Sequence, residues 1–255
     1  MSAVTKTPPH LPLVPAGEGG QMGLFEHLDE LRRRLFVSVI ALVIGVIGGI
    51  AVATPVLEFL SQPYGRAFIV LDPTGGIVQY FRVAILVGAS LALPIMIYEV
   101  LMFILPGLTG KEKKILLLSI PPITLLFVVG VAFAWYILIP PALNFLVGFQ
   151  PTIFRAEWTA DRYLGFVTSL LFWMGVAFET PLIFFVLSIF GAVSARQLLQ
   201  NWRIAIVGAA IAAAVITPTV DPVNMGLVMG PLLTLYLLSI GLVALGGRIT
   251  RSEAS

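Results

Sequence analysis

The chain has no cysteine, only two histidines and only 11% charged side chains in 255 residues. Without cysteine there is no disulfide, no thiolate nucleophile and no iron–sulfur ligation. His10 and His27 stand far apart in sequence, which argues against a zinc or haem site, and no metal or cofactor is expected. Two histidines cannot build a Ser/His/Asp set, and the acids lie at different depths, so they do not face one hydrolytic cleft. An enzyme is therefore not expected. The formal net charge of +2 fits anchoring in a membrane, and nucleic acid is not an expected partner.

Apolar residues are what the chain has: 58% of it is hydrophobic, and its mean hydropathy is +1.01. No water-soluble domain of this length needs so little charge. The apolar runs are long and continuous, which excludes a transmembrane barrel. The expected class is an all-α, polytopic integral membrane protein. Residues 1–22 are rich in Pro and Gly and predict a disordered cytoplasmic tail, with Met22 an alternative start. Residues 23–247 then form one membrane domain, and 248–255 a short cytoplasmic tail.

Six apolar segments cover 33–54, 77–105, 115–139, 163–190, 203–217 and 225–246. Most reach the roughly 20 residues that span a bilayer. The fifth does not: Ile204 to Ile216 covers about 20 Å against about 30 Å of hydrocarbon. With the N-terminus in the cytoplasm, eleven of the Lys and Arg residues fall inside and four outside: Arg66, Arg82, Arg155 and Arg162. Both termini are thus expected in the cytoplasm. The loops 55–76 and 140–162 are expected to form structured outer caps. Pro94, Pro106, Pro121, Pro122, Pro181 and Pro231 are expected to kink or end helices and to curve the bundle.

Four acids are candidates for chemistry. The run Glu26-His27-Leu28-Asp29-Glu30-Leu31-Arg32-Arg33-Arg34-Leu35 precedes the first segment. Its arginines set that end on the cytoplasmic side, but anchoring needs no acids. At helical spacing His27, Glu30, Leu31 and Arg34 share a face. That face is either a solvated turn with a Glu30–Arg34 ion pair or a carboxylate open to a cationic ligand. Glu112, among Lys111, Lys113 and Lys114, is either part of a charged inner loop or pairs with Glu30 as a second acid at the same membrane face, each beside its own basic cluster. Glu99 lies near the inner end of the second segment and reads as reaching headgroup water. Glu179 sits at membrane depth before Pro181, where an unpaired carboxylate costs about 3 kcal/mol or more. It reads as a polar site on a wet face, or as a protonated acid bonded to the Ala177 carbonyl that Pro181 frees. Phe103 and Trp135 read as interfacial aromatics.

The order of these motifs resembles the TatC family, the multispanning receptor of twin-arginine protein export. The residues that carry the resemblance begin with His27-Leu28-Asp29-Glu30-Leu31-Arg32-Arg33-Arg34-Leu35, Pro63, and Pro94 through Phe103 to Pro106. They continue with Glu112, Phe178-Glu179-Thr180-Pro181, Ile216-Thr217-Pro218 and Asp221. Together they cover about 22–247. The resemblance implies six transmembrane helices in a curved, glove-like bundle in a bacterial-type cytoplasmic membrane. It implies that Glu30 and Glu112 hold the Arg-Arg pair of a signal peptide, with Arg32, Phe103 and Lys113 nearby. It places Glu179 on the concave face and Asp221 in an outer loop. Pro63, Pro94, Pro181 and Pro218 take structural roles. The partners implied are single-span TatA/TatB-like proteins, further copies of the chain and membrane lipids, with transport drawing on the proton-motive force. Two positions depart from the family pattern. Leu237 stands where many relatives have a glutamate six residues after the sixth-span proline, and Asp221 follows Thr217-Pro218 one residue late. The alternative from another class is a small-solute or ion transporter with Glu179 in its pathway.

Overall fold

Hydrophobic runs separated by Pro- and Gly-bearing loops become helices throughout. The computed structural model describes residues 24–65, 67–104, 110–153, 157–217 and 221–253, and within them the side chains of all but 24–26, 110–112, 115 and 246–253. The expected tail 1–22 and Pro218 lie outside the described residues. In chain order come α1 (Leu24–Ser61), α2 (Gly75–Ile104), α3 (Gly110–Phe133), a π-helical turn (Ala134–Leu138) and α4 (Ile139–Gly148). They are followed by α5 (Ala160–Ile189), α6 (Ala195–Gln200), α7 (Trp202–Ile216) and α8 (Pro222–Glu253).

Among the described residues, five helical stretches are long and apolar enough to cross a membrane: 27–61, 75–104, 116–148, 160–189 and 222–245. The shorter apolar helix α7 has 15 residues, about 22 Å of rise, so the fifth segment is short as expected. Elements outgrow their apolar segments because hydropathy marks only the part that lies in hydrocarbon. α1 starts well before residue 33, and α8 runs on to Glu253, so the expected tail from 248 is helical that far. The expected outer loop 140–162 also starts as helix, in α4.

None of Pro94, Pro121, Pro122, Pro181 or Pro231 ends a helix, which corrects half of the sequence expectation. Pro106 lies outside the described residues. Within lipid a broken backbone bond has no water to turn to, so neighbouring helices keep the chain helical through proline. The π turn sits just before Pro140 and Pro141. Their missing N–H groups interrupt the regular ladder there.

Local signals set the true ends. Thr159 caps α5 by accepting from the Arg162 N–H. At its other end Gly191 takes a left-handed φ of 74°, and the N–H groups of Gly191 and Ala192 bond back to Ser188 and Leu187. This is a Schellman stop. Ser194 and Gln197 form a reciprocal capping box that starts α6.

α5 is the hub: 50% of its most apolar window is buried, against 17–28% in the other long spans. Val167, Leu170 and Met174 of α5 join Val83 of α2, Leu138 and Val228 of α8 in the larger core. A second core holds Leu101, Leu116, Ile123 and Val186. α1 and α2 approach most closely, at Gly45, Gly49 and Gly88. A Cβ on Gly45 would lie 2.3 Å from the Gly88 carbonyl oxygen, and one on Gly49 2.1 Å from that of Ala84. Small residues spaced by four let two helix backbones touch, which is how membrane helices gain packing without a hydrophobic driving force.

Two ends of the bundle matter below. At the near end α1 starts and α2 stops; at the far end α2 and α5 both start. The far end is capped by an aromatic group in which Tyr64 stacks on Phe68 and Trp158, with Tyr163 tilted against Tyr64 and Phe68 and stacked on Trp158. The Tyr163 hydroxyl donates to the Leu60 carbonyl at 3.0 Å, and the Ala160 N–H donates to Ile69 at 3.0 Å. The two expected outer caps therefore meet. Pro63 lies exposed in the turn that leads from α1 into this group.

Candidate functional site

The near end holds a cleft of about 570 Å³. Glu30 and Arg34 lie one turn apart on α1, and Tyr98, Glu99 and Met102 face them from α2. Arg34 bridges the helices. Its Nε and Nη2 donate to Glu30 Oε1 at 3.0 and 2.6 Å, and its Nη1 donates to Glu99 Oε2 at 2.9 Å. The three side chains are 18%, 18% and 13% exposed, so this group is sheltered from water. One guanidinium is shared by two carboxylates. Glu30 Oε2 is buried and has no hydrogen-bond partner among the described residues. An ionised carboxylate has about four acceptor sites, so this oxygen keeps unused acceptor capacity. Asp29, Arg33 and Lys113 complete the charged lining and are exposed. Beside the cleft the His27 ring stacks on Phe103, with centroids 4.5 Å apart.

The expected residues divide as follows. Glu30 and Lys113 line one cleft, with Phe103 on its margin. Arg32 does not line it. Two residues from both Glu30 and Arg34, it is turned about 200° round the helix, and it is exposed. Arg33 takes the lining place instead. The Glu112 side chain lies outside the described residues. Glu99, read from sequence as reaching headgroup water, is instead tied to Arg34 across the helix pair. Its partner is 65 positions away in the chain, which no local spacing could reveal.

Glu179 is 1% exposed and lines none of the described clefts. Its Oε1 has no partner among the described residues, and Pro181 beside it is also buried. Asp221 accepts from the Asn224 N–H at 2.7 Å and from the Asn224 amide at 2.9 Å, which starts α8 in the manner of an N-cap. Pro94 lies inside α2 and lines an apolar cavity of about 500 Å³ together with Trp135, which stacks on Phe59. Leu237 is exposed on α8. Among the described residues no cluster of His, Asp and Glu could hold a metal.

Residues 26–231 match the family described as Sec-independent protein translocase protein (TatC). The Sec-independent protein translocase protein TatC of Synechocystis sp. is 36% identical over 249 residues, 97% of each chain. The chloroplastic protein TATC of Arabidopsis thaliana is 39% identical over 231 residues, 89% of this chain and 68% of that one. A crystal structure of the twin arginine translocase receptor TatC aligns with a TM-score of 0.77 at 35% identity, covering 87% of this chain and 99% of that one. A second structure of that receptor, in DDM, aligns with a TM-score of 0.76. The membrane-length helices and these matches along most of the chain lead to one assignment: the chain belongs to the TatC family, multi-pass membrane components of Sec-independent protein translocation that are not enzymes.

Proposed function

We propose that this chain is the receptor and core scaffold of a twin-arginine translocase, binding Arg-Arg signal peptides at the near end. The observation that carries this reading is the sheltered group of Glu30, Arg34 and Glu99, with two carboxylates for one cation and an unmet oxygen on Glu30. Guanidinium binds carboxylate in bidentate fashion, and lysine cannot copy that geometry. Glu30 and Glu112 hold the peptide's arginines, with Phe103 and Lys113 beside them and Arg32 on the outer flank. The near end faces the cytoplasm, a reading supported by the distribution of Lys and Arg. All six apolar helices span a bacterial-type cytoplasmic membrane in a curved, glove-like bundle with both termini inside. Single-span TatA/TatB-like partners assemble beside α7 and α8, where exposed Ile204, Ile211, Val215 and Leu237 offer apolar contact. Further copies join the same complex, and the proton-motive force drives export of folded cargo. Glu179 is the intramembrane polar site, and Pro63, Pro94, Pro181, Pro218 and Asp221 keep structural roles.

The decisive measurement is binding of a synthetic Arg-Arg signal peptide to the detergent-purified chain without an ion gradient. Glu30→Ala and Glu112→Ala each weaken it by about 1.5–3 kcal/mol, the worth of a hydrogen bond to a charged group. Unchanged affinity in both single variants and the double variant rules the site out. Orientation is tested separately. Cysteines replacing Arg66 and Arg155 react with an impermeant thiol reagent outside intact cells, and one replacing Lys111 does not; the reverse pattern turns the protein over.

A further inference from the structure

The far end carries a second charged group that signal-peptide binding does not use. Arg82 of α2 donates through Nη1 alone: to Asp161 Oδ1 at 2.9 Å, to the Asp161 carbonyl at 3.2 Å and to Gln79 Oε1 at 2.9 Å. Its Nε and Nη2 make no hydrogen bond with a described residue. Gly165 leaves room for this pose, since a Cβ there would lie 3.0 Å from Arg82 Nη1. Arg162, beside Asp161, is exposed, and its side chain pairs with no described residue. Along the groove itself two cations stand against one acid; the next acid, Asp72, lines the adjoining pocket with Asp161 and Arg162 and not the groove.

Below these arginines runs a groove of about 450 Å³ between α2 and α5. Its walls are one stripe of each helix, Ile85, Leu86 and Ala89 on α2 and Ser169, Phe172 and Trp173 on α5. Arg162 and Trp173 are eleven residues apart, about 16 Å along the helix. That is close to half of the roughly 30 Å hydrocarbon core, the depth of one leaflet. The groove thus has a cationic mouth, an apolar floor and the length of one acyl chain.

We propose that this groove holds one anionic phospholipid, its phosphate between Arg162 and the open edge of Arg82 and one acyl chain along the floor to Trp173. A single negative charge matches the excess of arginine along the groove lining; a zwitterionic headgroup brings its own cation and does not. The site is independent of the near-end reading, because it shares no residue with the near-end cleft.

The test uses the full chain, purified in non-ionic detergent and stripped of lipid. It is titrated with phosphatidylglycerol or with phosphatidylcholine of the same chains, and bound lipid is counted by native mass spectrometry. The unmodified protein retains one phosphatidylglycerol in preference to phosphatidylcholine. Arg162→Gln weakens that binding about tenfold, the effect of losing one charge-assisted hydrogen bond. Ala89→Phe, which fills the groove and keeps both arginines, weakens it comparably. Lys114→Gln makes the same charge change at the near end and leaves it unaltered. Thermal melting in detergent checks that each variant is folded. Four results overturn the site: equal retention of the two lipids, undiminished binding by either far-end variant, an equal loss in Lys114→Gln, or displacement of the lipid by an equal concentration of inorganic phosphate.

Discussion

Near the start of α1, Arg34 faces two carboxylates; near the start of α2, Arg82 faces one and has Arg162 for a neighbour. Both groups clamp α2 to another helix, yet acids outnumber cations in the bonded near-end trio, whereas arginines outnumber acids along the far-end groove. Their shelter differs as well. The near-end pairs are 13–18% exposed, whereas Arg82 and Asp161 are 39% and 60% exposed. A sheltered group with spare acceptors is built to receive a cation, and an open group with spare donors suits an anion. On the two proposals, the same residue types at the two ends of one helix take opposite ligands, and the count of partners decides which.

The strongest way to break the comparison is to part α1 from α2, because only the near group bridges that pair. A Cβ on Gly88 would lie 2.4 Å from the Val46 Cα, with no flexible side chain to yield. Gly88→Leu is expected to lower stability in detergent by about 3 kcal/mol, the upper range for overpacking. Gly48→Leu is the control, since a Cβ there meets only the end of Leu91 at 3.7 Å. Equal losses of melting temperature in the two variants would remove the close-approach argument.

Next in size is the near group itself. Arg34→Gln leaves two sheltered carboxylates facing each other with no cation between them. Loss of its charge-assisted bonds costs about 2–3 kcal/mol of stability. A melting curve unchanged from that of the unmodified chain would mean the group is no clamp. A smaller effect, on peptide binding, is expected from Glu99→Gln. The variant leaves Arg34 balanced by Glu30 alone and removes the surplus acid, so affinity for an Arg-Arg peptide falls by about 1.5 kcal/mol. Full affinity would assign Glu99 to the clamp only.

The contrast between the ends also marks how far the sequence could be read. Glu30 and Arg34 are four positions apart, so helical spacing alone brings them together. Glu99 joins them only through the packing of α2 on α1, and that packing depends on Gly45, Gly49 and Gly88. Glycine inside an apolar run looks like any other small residue until its neighbour's backbone is known. Arg82 counted toward orientation as an outer charge, but its tie to Asp161 spans 79 positions. The six apolar segments were legible because burial in lipid demands unbroken hydrophobicity. The helical start of the 140–162 region was not, because Pro140 and Pro141 signal a break that the π turn absorbs.

The smallest expected effect sharpens the comparison most. Arg82→Gln breaks the far-end ion pair in a setting open to water, where such a pair contributes about 1 kcal/mol or less. Gln retains an amide that can still bond Asp161 or Gln79. The melting temperature should therefore shift far less than in Arg34→Gln, although both variants remove one arginine from one interhelical ion pair. The interhelical bond is alike, 2.9 Å from Nη1 to carboxylate in each case, so the two shifts differ through shelter and through the second carboxylate, Glu30, that Arg34 holds. If Arg82→Gln destabilises as much as Arg34→Gln, the far group is a second structural clamp. Its exposed geometry would then understate its role, and the claim that shelter separates the two ends fails.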